Sequence, residues 1–128
     1  MNSLTIERLG ATAGAGVSGV NADALVNDEA LGGAVLEALE ENGVLIFRDL
    51  HLDPKAQVAF AQKLGGVDYE EGYHPVPGIS RITRDVSKRP TAEYLAGTFL
   101  WHIDGCTPLH DENPQRATIL TAVAIADA

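Results

Sequence analysis

The sequence predicts an α+β fold that is mainly β. Three observations support this class: several short apolar segments have the strand pattern, two longer segments have helical spacing, and Gly- and Pro-rich loops separate them. With 45% hydrophobic and 21% charged residues, the chain of 128 residues has the composition of a folded protein. Its length suits one domain, so the sequence alone indicates a single folded unit.

Short runs of apolar and β-branched side chains predict the strands. Residues 4–9 alternate apolar and polar side chains, which predicts a half-buried edge strand, and the Gly- and Ala-rich residues 10–19 predict a connector. Residues 44–47 are continuously apolar and predict a buried strand. Three more strands are predicted in the second half of the chain, over residues 79–83, 99–103 and 117–126.

Capping residues predict two helices. Asn27 or Asp28 can cap a helix that runs to about Glu41, because either side chain can accept a hydrogen bond from the free N–H groups of the first turn. Asp53 followed by Pro54 is a second helix start, and this helix is expected to end at glycines after residue 64. The strands and helices together predict flanking helices on a mainly β framework.

Charge and cysteine content narrow the class of partner. The net charge of −9 disfavours nucleic acid, since binding a phosphate backbone requires clustered cations. No apolar run is long enough to cross a membrane, and no secretion signal is visible at the N-terminus. The single cysteine, Cys106, cannot form an internal disulfide. A small molecule is therefore the expected ligand, and the cytoplasm is the expected location.

Two His-x-Asp triplets are the candidates for metal chemistry. Alternate residues of a strand point to one face, so such a triplet can place an imidazole and a carboxylate on one ion. Asp53 already serves as a helix cap, which leaves His51 as an exposed loop residue. His102 and Asp104 instead end a predicted strand. From spacing alone, metal ligation and a hydrogen-bonded core His102 both remain open.

Other side chains near this triplet offer an alternative. Cys106 would share the strand face of His102 and Asp104 if the strand continued, and either Cys106 or His110 could then complete a zinc site. Gly105 and Pro108 favour a break in the strand, a partly buried free thiol at residue 106 and an exposed His110. Trp101 is expected to pack in the core.

Several segments, taken in order, resemble the N-terminal part of the taurine dioxygenase family, which includes dioxygenases of phenoxyacetate herbicides and alkyl sulfates. The matching segments are residues 42–49, 52–54, 57–65, 101–104 and 114–120. The segment Trp101-His102-Ile103-Asp104 is similar to the metal motif of this family. The likeness extends over about residues 35–125. Its ordered segments are more specific than the triplet by itself.

The resemblance implies Fe(II) and 2-oxoglutarate as cofactor and co-substrate, on a double-stranded β-helix, or jelly roll. His102 and Asp104 would be the first two iron ligands, and the reaction would hydroxylate a C–H bond while releasing succinate and CO2. The third ligand, a His, and the Arg that holds 2-oxoglutarate are expected beyond Ala128. The chain is therefore interpreted as the N-terminal portion, residues 1–128, of one dioxygenase domain, incomplete and inactive alone.

A second histidine is a candidate for substrate binding. His74-Pro75-Val76 resembles a family segment whose His contacts a sulfonate, although a loop His held beside a proline is an ordinary feature. Four nearby cations form either solvated surface or an attractive patch for an anionic substrate: Arg81, Arg84, Lys88 and Arg89. The alternative function is a non-enzymatic relative that pairs its open sheet edge with another copy.

Overall fold

The computed structural model describes residues 4–67, 69, 73–93, 97, 100–104 and 115–123. In these ranges the strands and α-helices follow the order β1, β2, α1, α2, β3, α3, and all of them end by Leu64. The backbone divides into two compact units, Met1–Asp68 and Tyr69–Ala128. This confirms the α+β class, whereas the mainly β expectation is wrong for the described residues, because the helices are longer than the strands.

The first unit contains a three-stranded sheet of order β1, β2, β3. β1 (Thr5–Arg8) pairs antiparallel with β2 (Ala15–Ser18), and β2 pairs in parallel with β3 (Leu45–Phe47). The central strand β2 lies inside the predicted connector, so that prediction is wrong. Small residues give little strand signal in isolation, and the two flanking partners supply the hydrogen bonds that make Ala15–Ser18 a strand.

The outer strands are more exposed than their sequences predict. All four residues of β1 are exposed, so the edge position is confirmed but the half-buried prediction is wrong. In β3 the middle residue Ile46 is exposed and its neighbours are half-buried. Both strands lie at the edges of the described sheet, and only the central strand has a neighbouring strand on each side. Burial is therefore concentrated in β2, at Ala15 and Val17.

The predicted helix caps are confirmed. Asp28 Oδ1 accepts from the Ala30 N–H at 3.1 Å at the start of α2 (Glu29–Asn42). Asp53 Oδ1 accepts at 2.8 Å from the N–H groups of Lys55 and Ala56 at the start of α3 (Pro54–Leu64). These bonds satisfy N–H groups that have no partner within a helix.

The short helix α1 (Ala22–Asn27) was not predicted. Asn21 Oδ1 caps it by accepting from the Ala24 N–H at 2.8 Å. Six residues are too few to display a helical repeat of apolar side chains, so the cap was the only local signal. The helix is nevertheless well anchored, because Leu25 is fully buried.

Helices α2 and α3 meet at a close approach that needs a glycine. A methyl group added at Gly32 would lie 3.1 Å from the carbonyl oxygen of Lys63, which is tighter than ordinary contact. Phe60 of α3 is buried and meets Phe47 edge to face, with ring centroids 6.4 Å apart. Leu31 and Val35 of α2 complete this core. The core thus forms where the helices cover one face of the sheet.

The second unit has a different construction. Among its described residues there is no strand, so the strand predicted over 79–83 is wrong, as are the described parts of those predicted over 99–103 and 117–126. Ile82, Leu120 and Val123 are all exposed. An apolar run becomes a strand only when a neighbouring strand satisfies its backbone groups, and the described residues supply none. The jelly roll itself therefore stays a prediction.

None of the helices within the described ranges combines the length and apolar character that a membrane crossing needs.

Candidate active site

The structure brings His102 and Asp104 together. His102 Nε2 lies 3.3 Å from Asp104 Oδ1. The segment that carries them is irregular, with a turn only at Asp104, and does not form the predicted strand. Both side chains are about half exposed, at 46% and 58%. The triplet thus places an imidazole nitrogen and a carboxylate oxygen side by side without the alternation of a strand.

A backbone carbonyl orients the His102 ring. His102 Nδ1 lies 2.8 Å from the carbonyl oxygen of Leu100. A carbonyl oxygen can only accept, so Nδ1–H is the donor in this contact. In the neutral ring Nε2 then carries the lone pair that faces Asp104, and in the charged ring Nε2–H donates to Asp104. With a neutral ring the two facing acceptors repel, and either a proton on Nε2 or a metal ion between the two atoms removes the repulsion. Metal-binding histidines commonly have this arrangement, in which the second ring nitrogen donates to a carbonyl.

The distance between the two atoms also fits shared ligation. Two ligands that occupy adjacent positions on an ion, each at about 2.1 Å, lie about 3 Å apart. The 3.3 Å between Nε2 and Oδ1 is close to this value. No group of three His, Cys, Asp or Glu side chains suited to a metal occurs among the described residues. Among the described residues, His102 and Asp104 therefore place two potential donor atoms side by side, and no third such side chain lies with them.

The surroundings of this pair differ from the sequence expectation. Trp101 is fully exposed, so the prediction that it packs in the core is wrong. Leu100 and Ile103 are exposed as well. Apolar composition suggested a buried strand here, but the described part of the chain offers these side chains no covering layer. Cys106 and His110, the alternative zinc ligands, lie outside the described residues.

The other His-x-Asp triplet, at residues 51–53, ends in a helix cap, as its position before Pro54 predicts. Asp53 caps α3 through two hydrogen bonds, and His51 is exposed. The predictions for both residues are confirmed. This triplet is a useful internal control for His102 and Asp104, because it has the same spacing and a different structural context.

His74 lines a cavity of about 640 Å³ in the second unit. Its Nδ1 accepts from the Val76 N–H at 3.0 Å, so the proton of the neutral ring is on Nε2. Arg81, Ser87 and Lys88 line the same cavity, together with Tyr73. The structure thus places two of the four predicted patch cations beside His74.

Arg89 differs from the other patch cations because it holds the segment together. Its Nη1 donates to the carbonyl oxygen of Arg81 at 2.7 Å, and its Nε donates to Thr91 Oγ1 at 3.3 Å. The guanidinium carbon lies 5.7 Å from the centre of the Tyr73 ring, within the range of a cation–π contact. Free solvated surface is therefore the wrong description of Arg89.

Tyr73 is a cavity residue that the sequence analysis missed. It adopts a positive φ of 54°, which is uncommon for a residue with a side chain. The aromatic ring next to His74-Pro75 was a visible signal, but its contact with Arg89 joins residues far apart in the sequence. Only the fold reveals that contact.

A hydrogen-bonded turn at Asp85 leads into two residues that line the cavity, Ser87 and Lys88. Asp85 Oδ1 accepts from the Ser87 hydroxyl at 2.6 Å and from the Ser87 N–H at 3.0 Å. These bonds, the hydroxyl first, lower the pKa of Asp85 from its ordinary value of 3.8. Asp85 Oδ2 lies 3.6 Å from Lys88 Nζ. The turn therefore positions Ser87 and Lys88 at the cavity.

Comparison with known proteins identifies the family. The family described as taurine catabolism dioxygenase TauD, TfdA family, matches residues 5–127. An (S)-phenoxypropionate/alpha-ketoglutarate-dioxygenase of Delftia acidovorans is 32% identical over 110 residues, covering 80% of this chain and 37% of that protein. The chain thus spans little more than a third of the length of this relative. On the strength of the match across nearly all of its residues, the chain belongs to the TauD/TfdA dioxygenase family.

Proposed function

We propose that this chain is the N-terminal portion of an Fe(II)- and 2-oxoglutarate-dependent dioxygenase that hydroxylates a small anionic organic substrate. His102 and Asp104 are two of its iron ligands. The observation that carries this proposal is the 3.3 Å contact between Nε2 and Oδ1, with the His102 ring oriented by the Leu100 carbonyl. Family membership and the name of the Delftia acidovorans relative support the same chemistry.

Each residue of the pair has a separate task. The Leu100 carbonyl keeps the proton of the neutral His102 ring on Nδ1 and leaves Nε2 as a donor atom for the metal. Asp104 supplies negative charge and a second donor atom beside it. A bound Fe(II) would activate O2 with electrons from 2-oxoglutarate, yielding succinate, CO2 and a hydroxylated product. Two protein ligands leave the remaining positions for a third ligand, the co-substrate and O2.

His74 contacts the substrate in this proposal. Its Nδ1 is occupied by the Val76 N–H, so Nε2–H is the group available to an anionic substrate. The name of the relative suggests an aryloxy carboxylate as one candidate substrate. The tyrosine and proline side chains around His74 suit the apolar body of such a molecule. The substrate is therefore expected to present its charge to basic side chains and its carbon skeleton to apolar ones.

The third His ligand and the Arg for 2-oxoglutarate belong to polypeptide beyond this sequence in our proposal. The single dioxygenase domain, its jelly roll and its cytoplasmic location are parts of the same proposal. We expect the 128-residue chain alone to release no succinate from 2-oxoglutarate with Fe(II) and O2. Succinate release by this chain would contradict the inference that essential groups lie elsewhere.

Metal ligation can be tested directly in the chain itself. Mn(II) added during NMR measurement broadens resonances of nuclei near its binding site, which detects even a weak two-ligand site. We expect the imidazole resonances of His102 to broaden first and those of His51 to remain sharp. Asp104→Asn should weaken the effect, whereas Asp53→Asn should not. Equal broadening of His51 and His102, or none at His102, would overturn the assignment.

One observation favours a second candidate, a module that pairs with a second copy of the chain. β1 is an outer strand with all four residues exposed, which presents backbone N–H and C=O groups to another strand. Sedimentation equilibrium would detect a dimer, and Ile6→Pro would remove one N–H from the exposed strand and weaken it. A wild-type chain that remains monomeric across the concentration range would exclude this candidate.

A further inference from the structure

The described lining of the cavity around His74 is basic, whereas the chain as a whole is acidic. The whole sequence contains 18 acidic residues and 9 Lys or Arg residues. Among the described residues that line the cavity none is acidic, while Arg81 and Lys88 both line it beside His74. A strongly acidic protein repels anions over most of its surface. Arg81 and Lys88 are therefore the described cations at which an anion can bind in this cavity, with Asp85 as the carboxylate that lies beside Lys88.

The neighbouring basic residues are distinguished by their contacts. Arg89 directs its donors to the Arg81 carbonyl and to Thr91, so it is committed to protein structure. Its bond to the carbonyl also fixes the backbone from which the Arg81 side chain extends. Arg84 is exposed and does not line the cavity. Arg81 and Lys88 are thus the two Lys or Arg residues of this segment that line the cavity.

Lys88 already has a partner. Its Nζ lies 3.6 Å from Asp85 Oδ2, and both side chains are substantially exposed, at 60% and 43%. At this exposure and distance the pair is weak, since water screens it. The Ser87 hydroxyl and N–H bind the other oxygen, Oδ1, of the same carboxylate. An incoming anion must therefore compete with Asp85 for the Lys88 ammonium, and the weak pair makes this competition easy.

The geometry points to Arg81 and Lys88 as residues that select anionic substrates in the cavity, in addition to His74. Arg81 can donate two parallel hydrogen bonds to a carboxylate or sulfonate, and Lys88 contributes a point charge. Arg81 should contribute more, because Lys88 is shared with Asp85. This assignment rests on the proposed function in one respect, namely that the bound anion is the substrate of the enzyme. Binding of the anion to the cavity does not depend on the iron site.

The test measures binding of (S)-2-phenoxypropionate and its uncharged amide to the chain by NMR, without metal or 2-oxoglutarate. The carboxylate should bind about tenfold more tightly than the amide and shift the resonances of Tyr73 and His74. Arg81→Gln should weaken carboxylate binding by about tenfold. Lys88→Gln should weaken it by about threefold, as for an exposed ion pair. Neither substitution should change binding of the amide.

Arg84→Gln is the matched control, because it removes the same charge from the same segment outside the cavity. Its affinity for the carboxylate should equal that of the wild type. Equal binding of carboxylate and amide, no detectable carboxylate binding, or an equal loss in Arg84→Gln would overturn the assignment. If a variant does not fold, the wild-type salt dependence decides: carboxylate affinity must fall with added NaCl while amide affinity stays constant. Failure of Mn(II) binding at His102 would contradict the proposed iron site alone.

Discussion

The two units of the chain are stabilised by different interactions. In the described part of the chain, every buried apolar side chain except Ala92 belongs to the unit Met1–Asp68, which also contains all the strands and α-helices. The unit Tyr69–Ala128 relies on turns and polar contacts, such as those of Arg89 and Asp85. The proposed metal and substrate residues all lie in this second unit. The comparison contrasts a unit of regular secondary structure with a unit of loops, and loops are where binding residues are commonly found.

The largest expected effect is loss of a core side chain in the first unit. Among the described residues, Leu25 is the one large side chain that is fully buried, and Leu25→Ala should lower the free energy of unfolding by about 3 kcal/mol. Urea unfolding followed by far-UV circular dichroism measures this, because the α-helices of the described residues lie in that unit. Trp101→Ala is the contrasting variant: its fully exposed side chain should contribute within about 0.5 kcal/mol.

A cost for Trp101→Ala as large as that for Leu25→Ala would contradict the contrast between a buried core and exposed loops. It would show that Trp101 is covered in solution. The emission maximum of this single tryptophan provides a second measurement, since an exposed indole emits at the longer wavelength typical of water.

The same contrast explains how far the sequence was informative. The caps Asp28 and Asp53 were predictable because a cap acts over two or three residues. Strand β2 was not, because Ala15 and Gly16 become a strand only through partners on both sides. Trp101 was assigned to the core because it lies in an apolar segment, on the predicted strand face opposite to His102, and an apolar segment does not say what covers its side chains.

The candidate site was likewise predictable from the sequence only in part. His102 and Asp104 were named from their spacing and from family resemblance, and their side chains lie in contact although no strand forms. The orienting Leu100 carbonyl and the contact of Arg89 with Tyr73 could not be read from the sequence. Such contacts depend on backbone positions that no motif specifies. The spacing thus predicted the pair, and the fold supplied its surroundings.

Two adjacent glycines of α2 provide the next test, within the first unit. Alanine at Gly33 meets no atom within 4 Å and should stabilise the helix by about 0.5 to 1 kcal/mol. Alanine at Gly32 would press against the Lys63 carbonyl at 3.1 Å. We expect Gly32→Ala to be less stable than Gly33→Ala by about 1 to 3 kcal/mol in urea unfolding. Equal stability of the two variants would exclude close packing of α2 against α3.

In the second unit, the polar side chain of Arg89 should contribute to stability, as a buried core side chain does in the first unit. Arg89→Met removes the donors to Arg81 and Thr91 and the contact with Tyr73, and should cost about 1 to 2 kcal/mol locally. Chymotrypsin cleavage after Tyr73 measures this local opening and should become faster. Lys88→Met is the control, because its exposed ion pair with Asp85 is weak, and this variant should be cleaved at about the wild-type rate. Faster cleavage in both variants would indicate a general charge effect instead of the specific contacts.

The smallest expected effect concerns pH and the turn at Asp85. Because Ser87 lowers the pKa of Asp85, the carboxylate stabilises the folded turn at pH values above 3.8. This contribution should disappear as the pH falls through the lowered folded-state pKa. It is small because the carboxylate is exposed. An NMR titration of Asp85 should show an apparent pKa below 3.8 in the wild type and a higher one in Ser87→Ala.

Ser80→Ala is the matched control for this titration, since Ser80 lies in the same unit and contacts Arg89 at 3.4 Å instead of Asp85. Its Asp85 pKa should equal that of the wild type. A shift in Ser87→Ala but not in Ser80→Ala would show that one hydroxyl determines the charge state of the turn beside Lys88. The polar contacts of the second unit would then be specific interactions, as the apolar contacts of the first unit are. An unchanged pKa in Ser87→Ala would instead mean that the turn is open to water in solution, since water would then replace the hydroxyl at the carboxylate.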